Sequence, residues 1–118
     1  MIIYKQSFFL FTEDPKILGK LDNVTVGENN EAKFTVKLAK GKPKPTCKWF
    51  REEKEIDFSK SESYEATETD NTYSLTIKSA QIPDAGWFNA KLTNEAGSVN
   101  SNKASLTVKC KKISLREY

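Results

Sequence analysis

A hydrophobic period of two is the feature that most constrains this chain. Phe34, Val36 and Leu38 alternate with Thr35 and Lys37, and Tyr73, Leu75 and Ile77 alternate with Ser74 and Thr76. Phe88, Ala90 and Leu92 alternate with Asn89 and Lys91, and Ala104, Leu106 and Val108 alternate with Ser105 and Thr107. Successive side chains of a strand point to opposite faces, so each run reads as a strand with one face buried. No stretch of helical length carries a helical period, and short strands separated by turn signals predict an all-β sandwich or barrel. Gly27-Glu-Asn-Asn30 turns the chain before the Phe34 strand. Gly41-Lys-Pro-Lys-Pro45 follows that strand, and its prolines cannot sit in a central strand, which predicts a loop at one pole. Asn94-Glu-Ala-Gly97 reads as a four-residue hairpin turn, where Gly97 can take positive φ cheaply, joining Trp87–Thr93 to Ser98–Lys109.

The chain has 118 residues, one domain's worth, and seven Phe, four Tyr and two Trp argue for a folded core. Nineteen basic and sixteen acidic residues leave a net charge of +3, which creates no field for a polyanion. Only Arg51 and Arg116 are arginines, and aromatic and basic residues do not interleave, so nucleic acid is not expected. Histidine is absent, which removes the commonest general base, metal ligand and nucleophile partner. Two cysteines cannot build a four-thiolate zinc site, and no glycine-rich phosphate loop is present. The expectation is a non-catalytic domain without metal or cofactor. No apolar run approaches the ~20 residues of a membrane-spanning helix. The segment Met1–Phe11 is apolar, but Lys5 interrupts it and Thr12-Glu-Asp-Pro15 follows it, unlike a signal peptide. Residues 1–14 read as a linker or the edge of a preceding element, with a short spare strand as the alternative, and residues 110–118 read as a C-terminal linker. Both look like connections cut from a longer chain.

Four features then line up: Trp49 on Cys47-Lys-Trp-Phe50 just after the proline loop, Leu75-Thr-Ile77, Asp84-Ala-Gly-Trp-Phe88, and Asn94–Gly97. Together they resemble the immunoglobulin fold of the intermediate, or I-set, type over residues 15–109, a β-sandwich of two antiparallel sheets. The resemblance implies strand A near Lys16–Leu18, A′ near Val24–Val26, B at Ala32–Ala39 and C at Thr46–Arg51. It implies C′ at Glu55–Ile56, D at Tyr64–Thr67, E at Thr72–Lys78, F at Gly86–Thr93 and G at Ser98–Lys109. In this fold a strand-C tryptophan packs between the sheets. Trp49 is expected there, in a core with Phe34, Val36, Leu75, Ile77, Phe88, Ala90 and Leu106.

The chain departs from the pattern at informative places. Val36 and Ala90 fall where the B–F disulfide would have its cysteines, and Phe88 replaces the corner tyrosine, so that hydroxyl bond must be absent or replaced. On the implied topology strands C and G are parallel with F between them, so Cys47 and Cys110 lie near opposite poles. About 20 Å of strand separates them, where a disulfide needs Cα atoms within ~7 Å. No disulfide is expected: Cys47 reads as a small apolar core residue and Cys110 as a surface thiol. A disulfide-free immunoglobulin domain suits a reducing compartment, and the sequon Asn23-Val-Thr25 reads as unused.

Gly41-Lys-Pro-Lys-Pro-Thr-Cys-Lys-Trp-Phe50, Asp84-Ala-Gly86 and Asn94-Glu-Ala-Gly97 look like the B–C, E–F and F–G segments of intracellular I-set domains in the titin, twitchin and obscurin family of muscle proteins. That likeness implies a structural and protein-binding module of a large cytoplasmic, sarcomeric or cytoskeletal protein. Such a module spaces and links domains along filaments and resists tension. Implied partners are neighbouring immunoglobulin or fibronectin type III domains and filament proteins, with the isolated domain monomeric. The alternatives are an extracellular adhesion or receptor domain that lost its disulfide, and a regulatory domain beside a Ser/Thr kinase in the same polypeptide. Strands A′ and G would share a sheet, so tension between Pro15 and Lys109 would shear their hydrogen bonds together.

Two surfaces are candidates for partners. Lys40, Lys42 and Lys44 crowd the B–C loop, with Lys37 and Lys48 adjacent, while Glu52, Glu53, Glu55 and Asp57 gather toward the other pole. Head-to-tail docking of neighbouring domains, or the lysines meeting an acidic filament or phosphate, is one reading and ordinary solubilising charge the other. Phe50 and Trp87 point outward if Trp49 and Phe88 point in, either as partner anchors or covered by lysine stems. Glu62, Glu65, Glu68 and Asp70 do not match an EF-hand loop, so calcium is not expected.

Overall fold

A computed structural model describes residues 12–60 and 62–110. The readings for residues 1–11 and 111–118 lie outside the described residues. The alternating segments form strands β1 (Glu13–Leu18), β2 (Val24–Gly27), β3 (Ala32–Lys42), β4 (Thr46–Arg51) and β5 (Lys54–Glu55). They continue with β6 (Tyr64–Thr69), β7 (Thr72–Ile77), β8 (Gly86–Thr93), β9 (Ser98–Asn100) and β10 (Ala104–Lys109), with one 3₁₀ turn at Ile82–Asp84. One sheet runs β1-β3-β7-β6 and the other β2-β10-β8-β4-β5, with β9 also on β8. Neighbours pair antiparallel, except that β2 lies parallel to β10.

The period-two positions meet between the sheets. Phe34, Val36 and Leu38 of β3, Tyr73, Leu75 and Ile77 of β7, Phe88, Ala90 and Leu92 of β8, and Ala104 and Leu106 of β10 are all buried. The Phe34 and Phe88 rings stack with centroids 5.0 Å apart. Trp49 is buried and lies in register with Ala90, where a small neighbour leaves room for the indole.

Three local features differ from the sequence reading. β1 begins at Glu13, and β3 runs on to Lys42, because Glu13 pairs with Lys42 and Lys16 with Lys40. The register shifts between Glu13 and Lys16, where the buried Pro15 has no N–H to offer a ladder. Lys40 and Lys42 therefore lie on a strand, and only Lys44 lies in the connection.

The expected single strand Ser98–Lys109 is split at residues 101–103. Ser101 takes over the pairing of Ala90, donating its N–H to Ala90 O at 2.8 Å and accepting the Ala90 N–H on Oγ at 2.9 Å. The Asn102 side chain clamps the Leu21 backbone, Oδ1 accepting its N–H at 2.7 Å and Nδ2 donating to its carbonyl at 2.9 Å. Leu21 is fully buried although it belongs to no strand.

The third difference is Gly97, which is not at positive φ. The turn closes through Asn94, whose N–H donates to Gly97 O at 2.9 Å and whose Oδ1 accepts the N–H groups of Ala96 and Gly97 at 2.8 and 3.1 Å. Gly97 brings the turn close to β1: a Cβ there would sit 3.2 Å from Asp14 Oδ1, so that exposed carboxylate would have to give way by a few tenths of an ångström.

Candidate functional site

The ends of the described domain form the first candidate functional feature. Asn94 Nδ2 donates to Glu13 O at 2.8 Å and to Pro43 O at 3.0 Å, pinning the start of β1 at the pole that holds the β3–β4 connection and the β8–β9 turn. β10 leaves at the other pole. It pairs Leu106 with Gly86, the first residue of β8, and runs on past it to Lys109. Over that last stretch β2 lies parallel alongside, with Leu106↔Val24, Thr107↔Thr25, Val108↔Val26 and Lys109↔Gly27, and the Glu28 N–H donates to Lys109 O at 2.8 Å.

The same topology fixes the thiols. Cys47 lies opposite Leu92 near the end of β8, and Cys110 follows β10 beyond the start of β8, so nearly the whole of β8 separates them. Both are free, Cys47 half-buried against the core and Cys110 exposed. Burial, then the charge of Glu68, pushes the Cys47 thiol up to about 12. Asn23 of the sequon accepts the Ser105 N–H on its Oδ1 at 2.9 Å, so this side chain helps hold β10 in place.

The corner bond that Phe88 cannot make is supplied by other residues. Arg51 Nη2 donates to Pro83 O at 2.6 Å and to Ala85 O at 3.1 Å. Tyr64 Oη donates to Asp84 Oδ1 at 2.9 Å, and Asp84 Oδ2 accepts the Gln81 N–H at 2.8 Å. Burial, then the Asp84 bond, raises the Tyr64 hydroxyl to about 12. Tyr73 Oη, in the core, donates to Pro45 O at 2.8 Å. None of these polar ties follows from hydrophobic period. The legible signal was chemical: a buried tyrosine needs a partner for its hydroxyl, and a turn asparagine caps backbone groups.

The two candidate partner surfaces differ in quality. Lys40, Lys42 and Lys44 are all exposed, but Lys44 pairs with Glu68 at 2.8 Å, which reduces the field of that group. Phe50 is half-buried, whereas Trp87 stays 51% exposed. Trp87 borders a cleft of about 370 Å³ with Glu52, Glu53, Asn89 and Lys103. Glu52 and Glu53 are the two central residues of the β4–β5 hairpin and both take left-handed backbone, φ 50° and 68°. That conformation costs a non-glycine residue roughly 1–2 kcal/mol and is usually left to Asn or Gly. Glu52 Oε2 accepts the Trp87 N–H at 2.9 Å, and the Glu52 N–H donates to Trp87 O at 2.9 Å. A side chain on Gly86 would collide with that carboxylate. Glu53 pairs with Lys103, whose hydrogen bond and charge hold the Glu53 carboxyl below its usual range. Among the described residues no group of Cys, Asp and Glu is arranged to hold a metal, and no helix is long and apolar enough to cross a membrane.

Two packed sheets of this strand order, with Trp49 between them, define an immunoglobulin-type β-sandwich, a domain class that is typically non-catalytic. Residues 15–108 match the Immunoglobulin I-set domain family, and the chain belongs to it. It is 38% identical over 95 residues, 80% of its length, to the muscle M-line assembly protein unc-89 of Caenorhabditis elegans. It is 30% identical over 99 residues, 84% of its length, to the smooth muscle myosin light chain kinase of Gallus gallus. The chain spans only 1% and 5% of those two proteins. Among solved structures, the titin domains z1z2 in complex with telethonin superpose with a TM-score of 0.77 at 30% identity, covering 85% of this chain and 50% of that one.

Proposed function

We propose that this domain is a non-catalytic structural and protein-binding module of a large intracellular muscle or cytoskeletal protein, one that spaces neighbouring domains along a filament and resists tension. The observation that carries the proposal is the parallel β2–β10 pair at the exit, combined with entry of β1 at the opposite pole. Pulling on the two ends draws β2 and β10 past each other along their length, loading a row of backbone bonds at once. The free thiols support a reducing, cytoplasmic setting, and similarity to unc-89 and to titin supports a sarcomeric one. Its partners on this reading are neighbouring immunoglobulin or fibronectin type III domains and filament proteins, as the titin domains of similar structure are found with telethonin. Similarity to a myosin light chain kinase supports a second reading, a regulatory module on a polypeptide that carries a kinase elsewhere. Single-molecule stretching of a tandem array tests the mechanical role. The expected outcome is a discrete cooperative rupture per domain, at forces well above those of a helical domain of equal length. Gradual extension without rupture would remove tension-bearing from the proposal.

A further inference from the structure

We propose that the cleft beside Trp87 is a docking site for a basic side chain, Lys or Arg, presented by a protein partner and seated between the indole and the carboxylates of Glu52 and Glu53. The inference rests on reading the domain as a protein-binding module and says where, and with what chemistry, it binds.

Exposure is the first support. Along β8 the side chains of Phe88, Ala90 and Leu92 are buried, yet Trp87 leaves half its surface to water beside an open cleft. An indole face attracts cations, and large aromatics rigidly held at a surface are the residues that anchor partners. Trp87 is held: its N–H and its carbonyl are both bonded to Glu52.

The second support is backbone strain carrying charge. A two-residue hairpin with both φ positive is the natural place for Asn-Gly. This chain spends those positions on two glutamates, both exposed, and strained residues of this kind are drawn to functional sites.

The third is charge complementarity. The cleft already holds one cation, the Lys103 ammonium, which reaches Glu53 from the segment between β9 and β10. Glu52 is bonded to a neutral N–H, and among the described residues no Lys or Arg pairs with it. Two carboxylates and one ammonium leave the cleft with an unmatched negative charge next to an aromatic wall. Lys103 is then an internal stand-in for the incoming side chain, and a partner's Lys or Arg would share or displace it. An acidic segment would meet like charge, and so would a second copy presenting the same cleft.

Titration of the ¹⁵N-labelled domain with a tetra-arginine peptide, and separately with tetra-glutamate, tests this. Tetra-arginine should shift the amides of residues 52, 53, 86–89 and 103 and the Trp87 indole, saturably, while the Trp49 indole stays in place and reports an intact fold. Trp87→Ala and Glu53→Gln should each weaken binding by about fivefold or more, the scale of a cation–π contact or a charged hydrogen bond. Lys103→Ala should tighten it, because the competing internal cation is gone. The proposal is overturned if tetra-arginine does not bind, if tetra-glutamate moves the same resonances, or if Lys103→Ala weakens binding. It is also overturned if Glu65→Gln, on the other sheet, weakens binding as much as Glu53→Gln does, since that would be general charge attraction. Shifts at these residues on raising protein concentration alone would assign the face to a second copy instead. Any of these failures leaves the rupture force of the tandem array untouched, so the docking site and the mechanical role stand or fall separately.

Discussion

Trp49 and Trp87 sit on neighbouring strands of one sheet and differ in which side of it they face. Trp49 is 1% exposed and Trp87 51%. Trp49→Ala removes a ring from a close-packed core and should cost on the order of 3–5 kcal/mol, while Trp87→Ala should cost under ~1 kcal/mol. Urea denaturation of the two variants measures both; equal losses would mean that the indole of Trp87 carries packing its exposure does not show. A second residue-scale prediction concerns alkali. Cys47, Tyr64 and Tyr73 each hold their proton to about 12 in the folded chain, against ordinary values of 9.0 for the thiol and 10.0 for the phenols. Burial is the leading cause in all three, and Glu68 adds to it at Cys47 and Tyr73. Above pH ~9 the unfolded chain releases protons that the folded chain keeps. The unfolded state then binds fewer protons, so stability falls as pH rises. Denaturation midpoints should be flat with respect to these groups below pH ~9 and decline toward pH ~12. Cys47→Ala should remove the earliest part of the decline and Tyr64→Phe part of the later one. A decline that begins unchanged in Cys47→Ala would mean the thiol does not gain its proton affinity from burial. The facing of both tryptophans could be read from alternation alone, since position along a strand dictates face. The tyrosine partners could not, because a hydroxyl's acceptor depends on which distant backbone carbonyl the fold delivers.

At the scale of elements, the strands that alternation marks are present, and the departures sit where side chains replace backbone pairing. The β9–β10 break is the clearest case. Val99 packs toward the core, and the next buried positions are Ala104 and Leu106, an odd step from Val99. A strict strand keeps even steps, so that slip in phase was a legible sign of a bulge within what otherwise reads as one strand. What alternation could not supply is the filler: Ser101 bonding Ala90, and Asn102 clamping Leu21. Asn102→Ala leaves the part-buried Leu21 N–H and carbonyl without that partner and should destabilise by about 1–3 kcal/mol, the cost of polar groups left unmatched. Hydrogen exchange at the Leu21 amide should speed up alongside the drop in urea midpoint; an unchanged amide would mean another group protects it. The start of β1 was illegible for the opposite reason. The resemblance placed strand A near Lys16–Leu18, after Pro15, yet a bulge lets the chain pair on both sides of the ring.

Across the whole molecule, the proposed mechanical role makes this topology a load path. On that proposed role, tension would enter at Glu13, at the pole pinned by Asn94, and leave at Lys109, where β10 lies parallel to β2 at the edge of its sheet. Antiparallel ends joined by a hairpin would open one bond at a time, whereas a parallel pair pulled lengthwise must break its bonds together. The prediction uses the alternation of backbone groups. β2 has β10 on one side only, so successive N–H groups of β2 point by turns at β10 and away from it. Of Thr25 and Val26, therefore, one N–H serves the pair and the other does not. Proline removes the N–H wherever it is placed, so Thr25→Pro and Val26→Pro make a matched test. One of the two should lower the rupture force of a tandem array clearly and the other much less, and the weaker variant should be the one whose amide exchanges slowly in the unmutated domain. Thr67→Pro, on the edge strand β6 of the other sheet, should leave the rupture force close to its original value while lowering the urea midpoint. If both β2 variants rupture at the original force, the β2–β10 pair is not where the domain resists, and resistance must come from the β1–β3 ladder that the same tension also loads.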